Sequence, residues 1–260
     1  MPFAPDGREA NAGRCAIAVM AKAPRPGKVK TRLHGAVTPG TAAALNAAFL
    51  RDITENIGLA SRDAAIDGWV AYAPAGSAGL FEGMLAPGTR LVLADGAIDA
   101  PPDVTGFGRC LLHAAQALFA RGYGAVCLLN SDSPTLPTAE LVCAALALGI
   151  QGQRAVLGAA EDGGYYLLGM QAPHAHLFAD IAWSTESVAD ATRARAMALG
   201  VPVVELTPWY DVDDAAALRR LAAELGGRAP SGAPAPYHAP ATAACLRAHG
   251  LLQCPENVAE

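Results

Sequence analysis

Cys15-Ala-Ile-Ala-Val-Met-Ala-Lys-Ala-Pro-Arg-Pro-Gly-Lys-Val-Lys-Thr-Arg-Leu33 begins as an apolar run and turns abruptly into a basic loop. The run Cys15 to Met20 has β-branched members and no alternation, the pattern of a strand buried on both faces. A loop leaving the carboxyl end of such a strand is where open α/β sheets bind ligands. Lys22, Arg25, Lys28, Lys30 and Arg32 crowd this loop, and no acid stands between Glu9 and Asp52. Lysine offers phosphate a compact charge and arginine a forked donor. Gly27 permits close backbone approach, and the prolines stiffen the loop. The spacing is not that of a Walker A loop.

Outward from this loop, strand and helix patterns alternate. Thr38 and Pro39 read as the cap and first residue of a helix, with Leu45, Phe49, Ile53 and Ile57 as its buried stripe and Gly58 as its stop. Strands are expected at Ile66 to Tyr72, Leu91 to Leu93, Ala125 to Leu129, Arg154 to Leu157, Tyr165 to Gly169 and Val201 to Leu206. Helices are expected at Phe107 to Arg121, Thr138 to Leu148, Val188 to Leu199 and Ala215 to Leu225. This order implies a largely parallel sheet covered on both faces. Residues 1–13 read as a loose tail and 14–225 as one domain. Residues 226–260 read as a Pro/Gly/Ala-rich connector followed by a short helix, Ala241 to Leu252, docked on that domain.

Composition narrows the function. Hydrophobic residues make up 52% and charged residues 17%, against disorder as the bulk state. A net charge of −5 argues against a general nucleic-acid binder, so the local basic loop points to a small anionic ligand. The six cysteines show no C-x-x-C or zinc spacing and read as free thiols in a reducing cytosol. Without a secretory or membrane-spanning pattern, a cytoplasmic location is expected.

Three further stretches carry candidate chemistry. Ser131-Asp-Ser-Pro134 ends a strand, so Asp132 reads equally as a Mg²⁺ ligand or as part of a turn capping the next helix. Glu161-Asp-Gly-Gly-Tyr-Tyr166 is either a plain turn into a strand or a carboxylate-and-ring surface for an acceptor. Trp183-Ser-Thr185 reads more as a buried tryptophan and a helix cap. In Asp211-Val-Asp-Asp214, alternation puts Asp211 and Asp213 on one side; either could be a second metal ligand, and any of the three acids could instead cap the helix from Ala215 to Leu225. His174 and His176 read as surface residues, and no G-x-S-x-G supports a hydrolase triad.

Taken together, Met20 to Leu33, Ser131 to Pro134, Glu161 to Tyr166, Trp183 to Thr185 and Asp211 to Asp213 resemble the DUF2064 family, over about Ile17 to Leu252. That bacterial group lies within the GT-A, or nucleotide-diphospho-sugar transferase, superfamily. Its members are often labelled arsenosugar-biosynthesis glycosyltransferases, and its distant relatives include molybdenum-cofactor and phospholactate guanylyltransferases. The resemblance implies an α/β, GT-A-like (Rossmann-like) mixed, mostly parallel sheet with helices on both faces. It implies Mg²⁺ or Mn²⁺ on Asp132 and Asp213. A nucleotide site would comprise Ala21, Lys22, Ala23, Arg25, Gly27, Lys28, Lys30, Arg32 and Asp132, with Lys28, Lys30, Arg32 and Asp132 catalytic. An acceptor site would comprise Glu161, Asp162, Gly163, Gly164, Tyr165, Trp183, Ser184 and Thr185. Three positions depart from the pattern: Asn130 for a small residue, Ala159 for proline and Ala217 for a second acid. The expected ligands are a nucleoside triphosphate or nucleotide-sugar and a small-molecule acceptor, with no nucleic acid or membrane. A homodimer stays open. Cations over the β- and γ-phosphates favour nucleotidyl transfer to a phosphorylated or anionic acceptor, ahead of glycosyl transfer or a silent nucleotide-binding role.

Overall fold

In a computed structural model, residues 10–228 and 234–252 are described. The strands are β1 (Cys15–Lys22), β2 (Ile66–Ala73), β3 (Arg90–Leu93), β4 (Ala125–Leu129), β5 (Ala155–Ala159), β6 (Tyr165–Met170) and β7 (Val203–Glu205). The helices are α1 (Pro39–Ala60), α2 (Phe107–Phe119), α3 (Thr138–Gly149), α4 (Val188–Ala198), α5 (Ala215–Leu225) and α6 (Pro240–Ala248). The strands form one seven-stranded sheet in the order β3-β2-β1-β4-β6-β5-β7. All pairings are parallel except those of β6, which runs antiparallel to both β4 and β5. This is the mixed, mostly parallel sheet the resemblance implies.

Successive strand residues face opposite sides, and the core divides accordingly. Cys15, Ile17 and Val19 pack with Phe49 of α1, Leu141 of α3, Leu218 of α5 and Leu246 of α6. Ala16 and Ala18 pack with Leu111 and Leu112 of α2 and Ala189 and Ala196 of α4. At α1, the Thr38 hydroxyl accepts from Thr41 N at 3.1 Å, the expected cap. Gly58 does not end this helix, which continues to Ala60 because the later turn at Ser61 supplies its stop.

Two fastenings lie away from the site. Asp52 of α1 is fully buried and accepts from the backbone N–H groups of Ala241 and Thr242, which pins the start of α6 to the domain. Tyr237 N donates to Thr135 O at 3.0 Å, so the end of the connector also lies on the domain. The rest of the connector expectation, at 229–233, lies outside the described residues, as does the tail expectation for 1–9. Asn11, placed in that tail, donates through Nδ2 to Arg121 O at 2.9 Å.

At the amino end of the sheet, Asp67 receives Arg14 Nη2 at 2.7 Å, Arg90 Nη2 at 3.0 Å and the Tyr123 hydroxyl at 2.8 Å. Burial would raise the Asp67 carboxyl, but these donors outweigh it and hold the group at about 2. A depressed carboxylate stabilises the fold above its ordinary 3.8, and that contribution fades as pH falls toward 2. Asp67→Asn should therefore cost about 1–2 kcal/mol at neutral pH and flatten the acid limb of the stability curve. Urea unfolding at pH 7 and pH 3 measures both. An unchanged acid limb would remove Asp67 from the account.

Candidate functional site

Between β1 and β4 the strand order reverses, and a crevice opens beyond the carboxyl ends there. Two loops line it, and burial decides how each is held. In the basic loop, Val29 and Leu33 are buried anchors, while Lys28, Thr31 and Arg32 stay exposed. Gly27, at φ 75, turns the chain, and Lys28 N bonds back to Arg25 O at 3.0 Å.

The loop after β4 is fastened to the segment before α5. Val212 N donates to Asp132 O at 2.8 Å, and the Ser133 hydroxyl donates to Tyr210 O at 3.0 Å. The Tyr210 hydroxyl lies 3.3 Å from Thr135 Oγ1 and 3.1 Å from Glu224 Oε2. Asn130 organises the turn itself, since Oδ1 accepts from Asp132 N at 3.3 Å and Nδ2 donates to Ser133 Oγ at 3.2 Å. Its departure from the family pattern thus has a structural use.

This fastening brings Asp132 and Asp213 together. Lys30 Nζ lies 2.6 Å from Asp132 Oδ1 and 3.3 Å from Asp213 Oδ1. The two oxygens therefore lie no further apart than those distances end to end, well within the reach of one metal and its waters. Arg32 Nη1 reaches Asp213 Oδ2 at 3.3 Å. Asp211 stands beside them, its carboxyl pushed up to about 6 by burial and by the facing Asp162, Asp213 and Asp132. No group of three or more His, Cys, Asp or Glu placed to hold a metal occurs among the described residues. Two carboxylates nevertheless fit Mg²⁺ or Mn²⁺, whose remaining positions go to water and phosphate.

A cleft of about 350 Å³ runs from this pair under the basic loop. Ala21, Lys22, Lys28, Lys30, Arg32 and Asp132 line it, and so do the unforeseen Asn46, Phe107 and Cys110. Ala71, Ala73 and Ala94, small side chains at or just beyond the ends of β2 and β3, leave its far side open and apolar. Ala23 is instead buried in the core, and Arg25 and Gly27 form the turn outside the lining. The exposed Phe107 was legible as a large apolar residue directly after Gly106, at a helix start.

The acceptor candidates divide. Glu161 and Asp162 line a second cleft of about 490 Å³, which meets the first at Arg32 and Asp213. Arg220 grips Glu161 through two bonds of 2.5 and 3.0 Å, holding its carboxyl below the usual range. Asp162 accepts from Gly164 N at 2.9 Å. Tyr165 lines a smaller pocket of about 160 Å³ beside Asp132, and its buried hydroxyl has no partner among the described residues. Burial raises that hydroxyl far above its ordinary value, so it stays protonated.

Trp183, Ser184 and Thr185 line none of these three clefts. Trp183 packs edge-on to Phe107 with centroids 5.6 Å apart, and Thr185 turns back to Ala182 O at 2.7 Å. Gly163 has φ +88, and a Cβ there would sit 2.0 Å from Glu186 O. Gly163→Ala should lower stability by at least about 2 kcal/mol, read as a fall in melting temperature. An unchanged melting temperature would contradict this packing role.

The fold and the crevice define a transferase of the GT-A type. Residues 58–185 match the family described as "Uncharacterized protein conserved in bacteria (DUF2064)". The matched span includes Asp132 and the Glu161–Tyr166 stretch but neither the basic loop nor Asp213. Among solved structures, the chain is similar to a "putative nucleotide-diphospho-sugar transferase" from Desulfovibrio desulfuricans G20. The two are 28% identical with a TM-score of 0.73, over 91% of this chain and 95% of that one. It is also similar in fold to CMP:2-keto-3-deoxy-manno-octonic acid synthetase complexed with CTP. That protein is 12% identical with a TM-score of 0.51, over 83% of this chain and 100% of that one. No curated protein matches the sequence. No helix among the described residues is long and apolar enough to cross a membrane.

Proposed function

We propose that this protein binds a nucleoside triphosphate in the crevice beyond β1 and β4 and transfers its nucleotidyl group to a small acceptor. The observation that carries this reading is the convergence of Asp132 and Asp213 beside a cleft of about 350 Å³ that lysines also line. Lys22 and Lys28 line that cleft with no ionic partner among the described residues. They would hold the β- and γ-phosphates and draw charge toward the leaving pyrophosphate. Arg32 would add a fork once drawn from Asp213. Asp132 and Asp213 would hold Mg²⁺ or Mn²⁺, which when bound supplies Lewis-acid polarisation of a phosphoryl oxygen. The small alanines at the ends of β2 and β3 leave a flat apolar face for a base.

The acceptor would approach through the second cleft. Its lining holds Glu161, Asp162, Asp211, Asp213 and Asp214 against two arginines, Arg32 and Arg220, both already ion-paired. That balance favours an uncharged or cationic acceptor over the anionic one expected from the sequence.

The likeness to the Desulfovibrio protein favours a second reading, glycosyl transfer from a nucleotide-diphospho-sugar. Product analysis separates the two. Incubating the protein and Mn²⁺ with nucleoside triphosphates and candidate acceptors should release pyrophosphate. Release of a nucleoside diphosphate from a nucleotide-sugar, without pyrophosphate from any triphosphate, would select the glycosyl reading.

A further inference from the structure

Lys30 differs from every other cation of its loop. Its side chain is only 4% exposed, and its ammonium meets Asp132 Oδ1 at 2.6 Å, Val212 O at 2.7 Å and Asp213 Oδ1 at 3.3 Å. An ammonium has three donors, and here each has an oxygen. The Phe49 ring closes the space behind it, 5.3 Å from Nζ to centroid. The backbone at Lys30 is left-handed, φ 48 and ψ 41, a conformation that non-glycine residues seldom take without a reason. Its exposed neighbours Lys28 and Arg32 remain on the cleft wall.

We propose that Lys30 is the resident counter-cation of the Asp132–Asp213 pair, occupying the place that a divalent cation would take. The inference rests on these two acids being the ligand pair of the proposed function. Two cations cannot share the same pair of carboxylates without strong like-charge repulsion. Lys30 therefore disfavours loading by the free ion. Nucleotide phosphates offer Lys30 a new partner and make its departure favourable, so ion and nucleotide bind together. In the free protein, Lys30 keeps the two acids from repelling each other.

The test is Mn²⁺ binding to nucleotide-free protein, followed by electron paramagnetic resonance. Lys30→Met keeps the length and removes the charge. It should bind Mn²⁺ at least about tenfold more tightly than the wild type, and Asp132→Asn added to it should abolish that gain. Equal or weaker binding by Lys30→Met would overturn the inference and leave the ligand pair standing. Failure of both proteins to bind Mn²⁺ with or without nucleotide would overturn both. The wild type gives an independent measure should Lys30→Met not fold. Saturating Mn²⁺ should speed acetylation of Lys30 by acetic anhydride several-fold relative to Lys28, followed by mass spectrometry. An unchanged relative rate would overturn the inference.

Discussion

Asp132→Asn and Asp213→Asn should each cut metal-dependent nucleotide affinity by at least about a hundredfold, and the double variant should be little worse than either single one. The two acids act as a unit because Val212 N and Asp132 O bind their segments together, at 2.8 Å. Isothermal titration with a triphosphate, with and without Mn²⁺, reads the effect, and additive losses would mean two separate roles. The stability of the free variants carries a second expectation. Two facing carboxylates alone would repel, so that removing one would relieve the protein. Lys30 reverses that sign, because its ammonium lies between them, almost fully buried. Asp132→Asn leaves this buried charge short of a partner and should lower the unfolding free energy by about 1–2 kcal/mol.

The second large effect separates two lysines that look equivalent in the sequence. Lys28→Ala should weaken nucleotide binding about tenfold and leave stability within about 0.5 kcal/mol, as expected for an exposed side chain with no ionic partner among the described residues. Lys30→Ala should lower the melting temperature clearly, because Asp132 and Asp213 then face each other without a cation. Lys28 stays exposed, whereas the Lys30 side chain is buried against the two acids. Thermal unfolding of the two single variants decides the matter, and equal melting temperatures would contradict the hub role of Lys30.

Much of the fold was legible because its signals are local. Ala125–Leu129 and Ala215–Leu225 agree with their apolar pattern at both ends, and Thr38 caps α1 as its side chain allows. The reversal of β6 was harder to see, since an apolar strand reads the same in either direction. Its one signal was length. Residues 160–164 are too few for a parallel crossover, which needs a dozen or more. In the site, position alone left Asp132 open between a metal ligand and a turn, and left Asp211 and Asp213 equally open; only the family resemblance singled out Asp132 with Asp213. The inward turn of Lys30 was not nameable, because it depends on partners more than a hundred residues away. The family resemblance, not the local reading, put Trp183 in the acceptor site. Trp183 neighbours the crevice through Phe107, so its motif supports a wall without touching the space.

The central claim is that the crevice takes a nucleoside triphosphate together with a divalent cation. A thermal-shift comparison of triphosphates and nucleotide-sugars, each with and without Mg²⁺ or Mn²⁺, tests it most directly. A ligand at a hundred times its dissociation constant adds about 2.7 kcal/mol to the folded state, a rise on the order of 5–10 °C for a domain of this size. The account predicts such a rise for at least one triphosphate, only with the metal present, and its loss in Asp132→Asn. A rise that persists without metal, or in Asp132→Asn, would contradict it.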